Sequence, residues 1–204
     1  MKTKVFLLAM FLLFITTACN KEEESFTEIS GVVYERGHPS AKPVPNALVY
    51  FEWRIKGTYG ADVHFIDTVR TNNQGQYTLA AETPNKDLHV YATAFNHYPG
   101  GELTMMPNVK RGQKQTVNLD LIPFAWVRMN IRKTGAHDYL IIGPPAGSTK
   151  SLFAFSDTSL IAGPVLGNTE VELNLFKYLN EARHHSETFV QTIGHDTVDV
   201  SIDF

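Results

Sequence analysis

Hydrophobic residues recur at every second position through most of this chain, which is the period of a half-buried strand and not the three-to-four spacing of an amphipathic helix. Ile29, Gly31 and Val33 share one face of a first strand, Ala47, Val49, Phe51 and Trp53 one face of a second, and Val63, Phe65 and Val69 one face of a third. The run from Thr71 to Leu79 reads as a polar turn, with Gly75 available for positive φ, leading into a fourth strand. Leu88, Val90, Ala92 and Ala94 make a fifth, Glu102 to Met106 a weaker sixth, and Val117, Leu119 and Leu121 a seventh. Pro39, Pro43, Pro45, Pro84 and Pro99 all fall between these runs, where a missing N–H breaks no ladder. Short strands at a spacing of roughly 8 to 12 residues describe a β-sandwich over residues 28–122, with Val49, Phe51, Val90 and Leu119 in its core.

The alternation continues beyond this unit. Ala125, Val127, Met129 and Ile131 oppose Trp126, Arg128, Asn130 and Arg132; Val171, Leu173 and Leu175 oppose Glu170, Glu172 and Asn174; Val198, Val200, Ile202 and Phe204 oppose Asp199, Ser201 and Asp203. Residues 139–142, 152–155 and 187–193 read as shorter strands, and 176–182 as a helical turn. The pattern predicts an all-β chain whose second, smaller β-rich domain spans residues 123–204, with Val171, Leu173, Val200 and Ile202 buried. The boundary falls near Ile122-Pro123 without a long linker, so one continuous larger sandwich is the alternative arrangement.

Gly31-Val32-Val33-Tyr34, then the stretch from Lys42 to Val49, then Thr71 to Leu79, then Val90-Tyr91-Ala92-Thr93-Ala94 and finally Tyr98-Pro99 follow one another in the order of a known pattern. Together they resemble the carboxypeptidase regulatory-like domain, a transthyretin-like Greek-key sandwich. Asn96 or His97 stands where that family has a glycine before its tyrosine. The resemblance covers residues 28–122 and implies a seven-stranded fold in an accessory role. It does not imply catalysis, because the Tyr-Arg-Gly-Ser signature of the related hydrolase branch is missing from the sequence.

The first residues follow a different rule. Lys2 and Lys4 precede an uncharged apolar stretch from Val5 to Ile15, which is shorter than the ~20 residues of a bilayer-spanning helix. With Thr16-Thr17-Ala18 and Cys19, the single cysteine, this resembles the signal peptide and lipobox of a bacterial lipoprotein. Residues 1–18 are then removed and Cys19 carries the acyl chains, of which two suffice for stable anchoring. Lys21, Glu22, Glu23 and Glu24 resemble the surface-export signal of Bacteroidota-type lipoproteins, and residues 19–27 form a charged tether. The expected location is the outer membrane, lipid-anchored and facing the cell exterior.

Loss of Lys2 and Lys4 leaves 16 basic and 21 acidic side chains, a net charge of −5 against −3 for the whole chain, which excludes nucleic acid as an expected partner. His184-His185, His137-Asp138 and His195-Asp196 are the metal-type residues, but neighbours on a strand point to opposite faces, so no metal and no cofactor are expected. No Gly-x-Ser-x-Gly elbow is present to expose a nucleophile. Aromatic residues are the better candidates for contact with a partner. Tyr59, in the loop between the second and third strands, and Trp126 are the expected binding surface, where a ring can stack on a sugar or bury a protein surface. The reading is a non-enzymatic binding or assembly module whose partner is another surface protein or a glycan. A small hydrolase of peptide or glycan, with its site in the C-terminal half, is the alternative, and zinc held through His137, His184 or His195 would be its mark.

Overall fold

The computed structural model describes residues 25–38, 40–57, 60–99 and 107–204, and these form an all-β protein built around two hydrophobic cores. In the N-terminal half, strand β1 (Ser25–Glu35) lies between β4 (Gln76–Thr83), antiparallel to it, and the parallel strands β8 (Lys114–Thr116) and β9 (Leu119–Arg132). The facing sheet has the order β3 (Gly60–Arg70), β2 (Leu48–Gly57), β5 (Leu88–Thr93), β7 (Asn108–Val109). Ile29, Val33, Val49, Phe51, Leu79, Val90, Leu119 and Leu121 fill the space between them. Val49, Phe51, Val90 and Leu119 are thus buried as their alternation requires.

The turn residues of the first half account for its shape. The Thr71 hydroxyl donates to Val44 O at 2.7 Å and accepts from the Ala47 N–H at 2.9 Å, which ties the Lys42–Val49 segment to the hairpin that follows β3. Asn72 Oδ1 accepts from the N–H groups of Gln74 and Gln76, each at 2.9 Å, and Gly75 supplies φ of 70°. The Tyr77 hydroxyl reaches across β1 to donate to Val117 O at 2.7 Å. It passes Gly31, where a Cβ would sit 1.9 Å from that same carbonyl oxygen, so no side chain fits there.

Two local expectations are corrected. Val63 and Phe65 do not face the core. The pairing between β2 and β3 shifts between Phe51 and Glu52, so Ile66 is the extra residue of a bulge and the parity of β3 inverts ahead of it. Val69 and Ile66 remain half-buried against the core, while Val63 and Phe65 are exposed on the outer face. Nor is 176–182 a helical turn: β13 (Glu170–Leu179) runs through it into a hairpin with β14 (Ala182–Gln191). The two-residue connection, Asn180-Glu181, has positive φ at both positions, the type I′ geometry that matches strand twist. The sixth strand expected at 102–106 lies outside the described residues.

Strand β9 carries the chain from one core to the other. Its odd-numbered residues face inward throughout: Leu119 and Leu121 in the first core, Ala125, Val127, Met129 and Ile131 in the second. The position 122–123 therefore divides the cores while the strand itself is unbroken. The second half of β9 pairs antiparallel with β12 (Thr158–Leu166) and parallel with β15 (Thr197–Asp203). Over it lies a sheet of order β11 (Leu152–Ala154), β10 (Tyr139–Ile142), β13, β14. Val171, Leu173 and Ile202 are buried and Val200 is half-buried.

Candidate functional site

The junction between the cores holds the most concentrated polar cluster among the described residues. Inward alternation along β1 places Glu35 on the same face as Ile29, Gly31 and Val33, and this carboxylate is 4 % exposed. The short strand β6 (His97–Pro99) pairs with β9 through His97 opposite Pro123 and brings His97 to the cluster. His195 arrives from the other half, in the turn that leads to β15. Its N–H donates to Phe124 O at 2.7 Å, and its backbone takes φ of 65°. Gly167 and Gly194 let this turn approach Pro123 closely, since a Cβ on Gly194 would come within 2.5 Å of the proline ring. Asn168 closes the arrangement: its Oδ1 accepts from the Gly194 N–H at 2.8 Å, and its Nδ2 donates to Arg36 O at 3.3 Å.

Three nitrogens converge on one oxygen. His195 Nε2 lies 2.8 Å from Glu35 Oε1, Lys42 Nζ 3.2 Å, and His97 Nε2 3.5 Å. Burial by itself would push the Glu35 carboxyl up; hydrogen bonds and charge from His195 and Lys42 outweigh it and hold the group below its ordinary value. His97 donates through Nδ1 to Phe95 O at 2.8 Å, and its side chain is 7 % exposed. Its Nε2 is left without a hydrogen-bond partner. Beside it, the Tyr98 hydroxyl contacts Gly147 O at 2.9 Å and Pro164 O at 2.8 Å, a further link between the halves. A second buried carboxylate, Glu52, is ion-paired with Arg54 beneath Tyr91.

The second candidate is a surface. On the outer face of the C-terminal sheet, Phe153, Ile141, Phe176 and His185 form one row across four strands. The next row contains Tyr139, Tyr178 and Arg183, with Phe155 at its end. Tyr139 and Tyr178 stack at 4.6 Å, Phe176 and His185 at 4.9 Å, and the Arg183 guanidinium lies 4.7 Å from the Phe176 ring centre. Phe153 and Phe155 are 54 % and 65 % exposed. A smaller aromatic patch, Tyr50, Phe65 and Tyr91, occupies the outer face of the β3-β2-β5 sheet.

Of the residues singled out in the sequence, Cys19, Lys21, Glu22, Glu23, Glu24 and Tyr59 lie outside the described residues. Trp126 is half-buried on the outer face of β9, its indole against Gly163, where a Cβ would come within 2.5 Å of the ring. His184 and His185 sit on opposite faces of β14 as strand neighbours must. His184 and Glu187 stand at His-x-x-Glu spacing, yet an odd separation on a strand sends them to opposite faces as well. His137 does meet His184, with ring centres 5.7 Å apart, but among the described residues no carboxylate joins them within metal-binding reach. Glu35, His97 and Lys42 carry no mark of a site in the sequence, and His195 enters it only beside Asp196, as one of the metal-type pairs from which no metal is expected. The available signal was a glutamate at the end of an inward-facing alternation.

No family model and no curated protein matches this chain. Among solved structures it is similar to the Bacillus anthracis TIE protein, at 8% identity and a TM-score of 0.36 over 88% of this chain and 34% of that one. It is also similar to a Streptococcal ancillary pilin, at 8% identity and a TM-score of 0.41 over 91% of this chain and 63% of that one. The chain spans about a third of the first and less than two thirds of the second.

Proposed function

We propose that this chain is a lipid-anchored module of the outer cell surface that binds another surface protein or a glycan and performs no catalysis of its own. The observation that carries this reading is the double aromatic row on the outer face of the C-terminal sheet. Rings such as Tyr139, Tyr178, Phe176, Phe153 and Phe155 cost little conformational entropy to order and offer large apolar faces for a sugar ring or a protein side chain. They project from a hydrogen-bonded sheet, so the surface is in place before a partner arrives. Acylated Cys19 and the acidic tether after it would hold the module at the membrane, with Lys21 to Glu24 directing it outward. The N-terminal half, read as a carboxypeptidase regulatory-like domain, supplies the rigid base.

The test is made on the native membrane. Intact cells are cross-linked, and the species joined to the wild-type chain are compared with those joined to a Phe153→Ser, Phe155→Ser double variant. Purified protein is assayed in parallel against surface polysaccharides. Both phenylalanines are exposed, so the variant keeps its fold and circular dichroism serves as the control. Loss of a defined partner or glycan in the variant is the expected result. Equal binding by both proteins would remove the aromatic face from the reading. Mass spectrometry of the mature N-terminus should find an acylated Cys19, and an unmodified terminus at another residue would end the anchoring claim.

A further inference from the structure

The position of His97 fits poorly with a simple hydrogen-bond network. Its Nδ1 donates to Phe95 O, and in the neutral ring this places the hydrogen on Nδ1 and leaves Nε2 as a lone pair. That lone pair is buried, has no hydrogen-bond partner, and stands 3.5 Å from a carboxylate oxygen, so two electron-rich atoms face each other in a poorly hydrated junction. A positive centre between them would relieve the contact. Lys42 lies only 3.2 Å from the same oxygen, yet it is half-exposed and leaves Nε2 unpartnered.

We infer that Glu35, His97 and His195 form a binding site for one divalent transition-metal ion of the zinc class, held between the two cores. One ligand atom from each of the three lies within 4.8 Å of the others. A tetrahedral zinc with bonds of ~2.0–2.1 Å needs its ligands about 3.3 Å apart; the two imidazole nitrogens stand 2.8 and 3.5 Å from the Glu35 oxygen and within 4.8 Å of each other, so rotations of these side chains complete three corners. The donor set of two imidazoles and a carboxylate suits zinc. The backbone carbonyl behind His97 is the outer partner that metal-bound histidines ordinarily have. On binding, the metal takes the place of the proton that His195 Nε2 directs at Glu35: an imidazolium gives that proton to solvent, a neutral ring moves it to Nδ1, and in either case the bound ring keeps one hydrogen, on Nδ1. Lys42 turns outward into solvent, where half of its surface already lies.

The expected role is a brace and not the hydrolase centre that zinc through His195 would otherwise mark, because the ligands come from both sides of the junction and no ligand comes from His137 or His184. Glu35 and His97 belong to the N-terminal half and His195 to the C-terminal half, so the ion closes a link of 160 residues along the chain. The experiment uses the full, untagged chain treated with a chelator and then titrated with zinc chloride by calorimetry, with cobalt(II) as a spectroscopic substitute. One zinc per chain is expected, with cobalt giving the visible absorption of a tetrahedral site and zinc raising the midpoint of thermal unfolding. His97→Ala and His195→Ala should each weaken binding by at least about tenfold. Glu35→Gln, which keeps the shape and a hydrogen-bond acceptor, should do the same in a folded protein. His137→Ala and His184→Ala should leave binding unchanged, and Lys42→Met should tighten it by removing a competing charge. A folded wild-type chain that binds no zinc would overturn the inference. So would zinc binding that survives both His97→Ala and His195→Ala, or that depends on His137 or His184 instead.

Discussion

The buried hydroxyl of Thr71 satisfies two backbone groups from a different segment, and nothing else in the core is placed to do so. Thr71→Val keeps the volume and removes the hydroxyl, stranding the Val44 carbonyl and the Ala47 N–H away from water. The expected cost is ~1–3 kcal/mol, read as a lower urea midpoint with unchanged slope. A change near zero would mean that water reaches these groups and that the turn is looser than its geometry implies. The turn and the positive φ of Gly75 were legible in the sequence because they are local, whereas the Thr71 hydroxyl and the Tyr77 ring serve segments 27 and 40 residues away. The junction cluster was not legible. Glu35, His97 and His195 are separated by 62 and 98 residues, so no spacing rule joins them, and only the inward parity of Glu35 hinted that a charge was to be buried.

Among the elements, most strands were readable because a period of two survives in any strand that has one wet face. The reading failed where geometry changed the parity or the turn. In β3, the shift opposite Phe51 and Glu52 turned Val63 and Phe65 outward, a change of one residue in register that composition does not record. At 176–182, the aromatic residues of β13 belong to a surface row, and the turn consists only of Asn180 and Glu181. Asn tolerates the left-handed region, whereas Glu181, at φ 68°, does so at a penalty of about 1–2 kcal/mol. Glu181→Gly should therefore stabilise the protein by roughly 0.5–1 kcal/mol after the added unfolded-chain entropy of glycine is subtracted. Denaturant unfolding measures it, and a loss of stability would show that entropy outweighs the relief of strain.

For the molecule as a whole, the unbroken course of β9 decides whether two cores mean two independent units. Leu121 belongs to one core and Ala125 to the other, and the strand between them is hydrogen-bonded to β6 from the first half and pinned by the His195 turn from the second. Tyr98 and Asn168 add contacts from each side to the other, and Gly167 and Gly194 close the backbone on Pro123. Unfolding one half would strand the polar groups of this junction and free the end of a strand that the other half needs, so the two should unfold as one unit. The chain carries its own reporters, because its two tryptophans fall one in each half: Trp53 lies against the first core, stacked on His64, and Trp126 lies on the second half of β9. In a Trp126→Phe variant fluorescence follows the N-terminal half, and in a Trp53→Phe variant it follows the C-terminal half. Within each variant, the fluorescence transition in urea should coincide with the far-ultraviolet circular dichroism transition of the whole protein. A fluorescence midpoint displaced from the dichroism midpoint in either variant would mean that β9 joins two domains without coupling them.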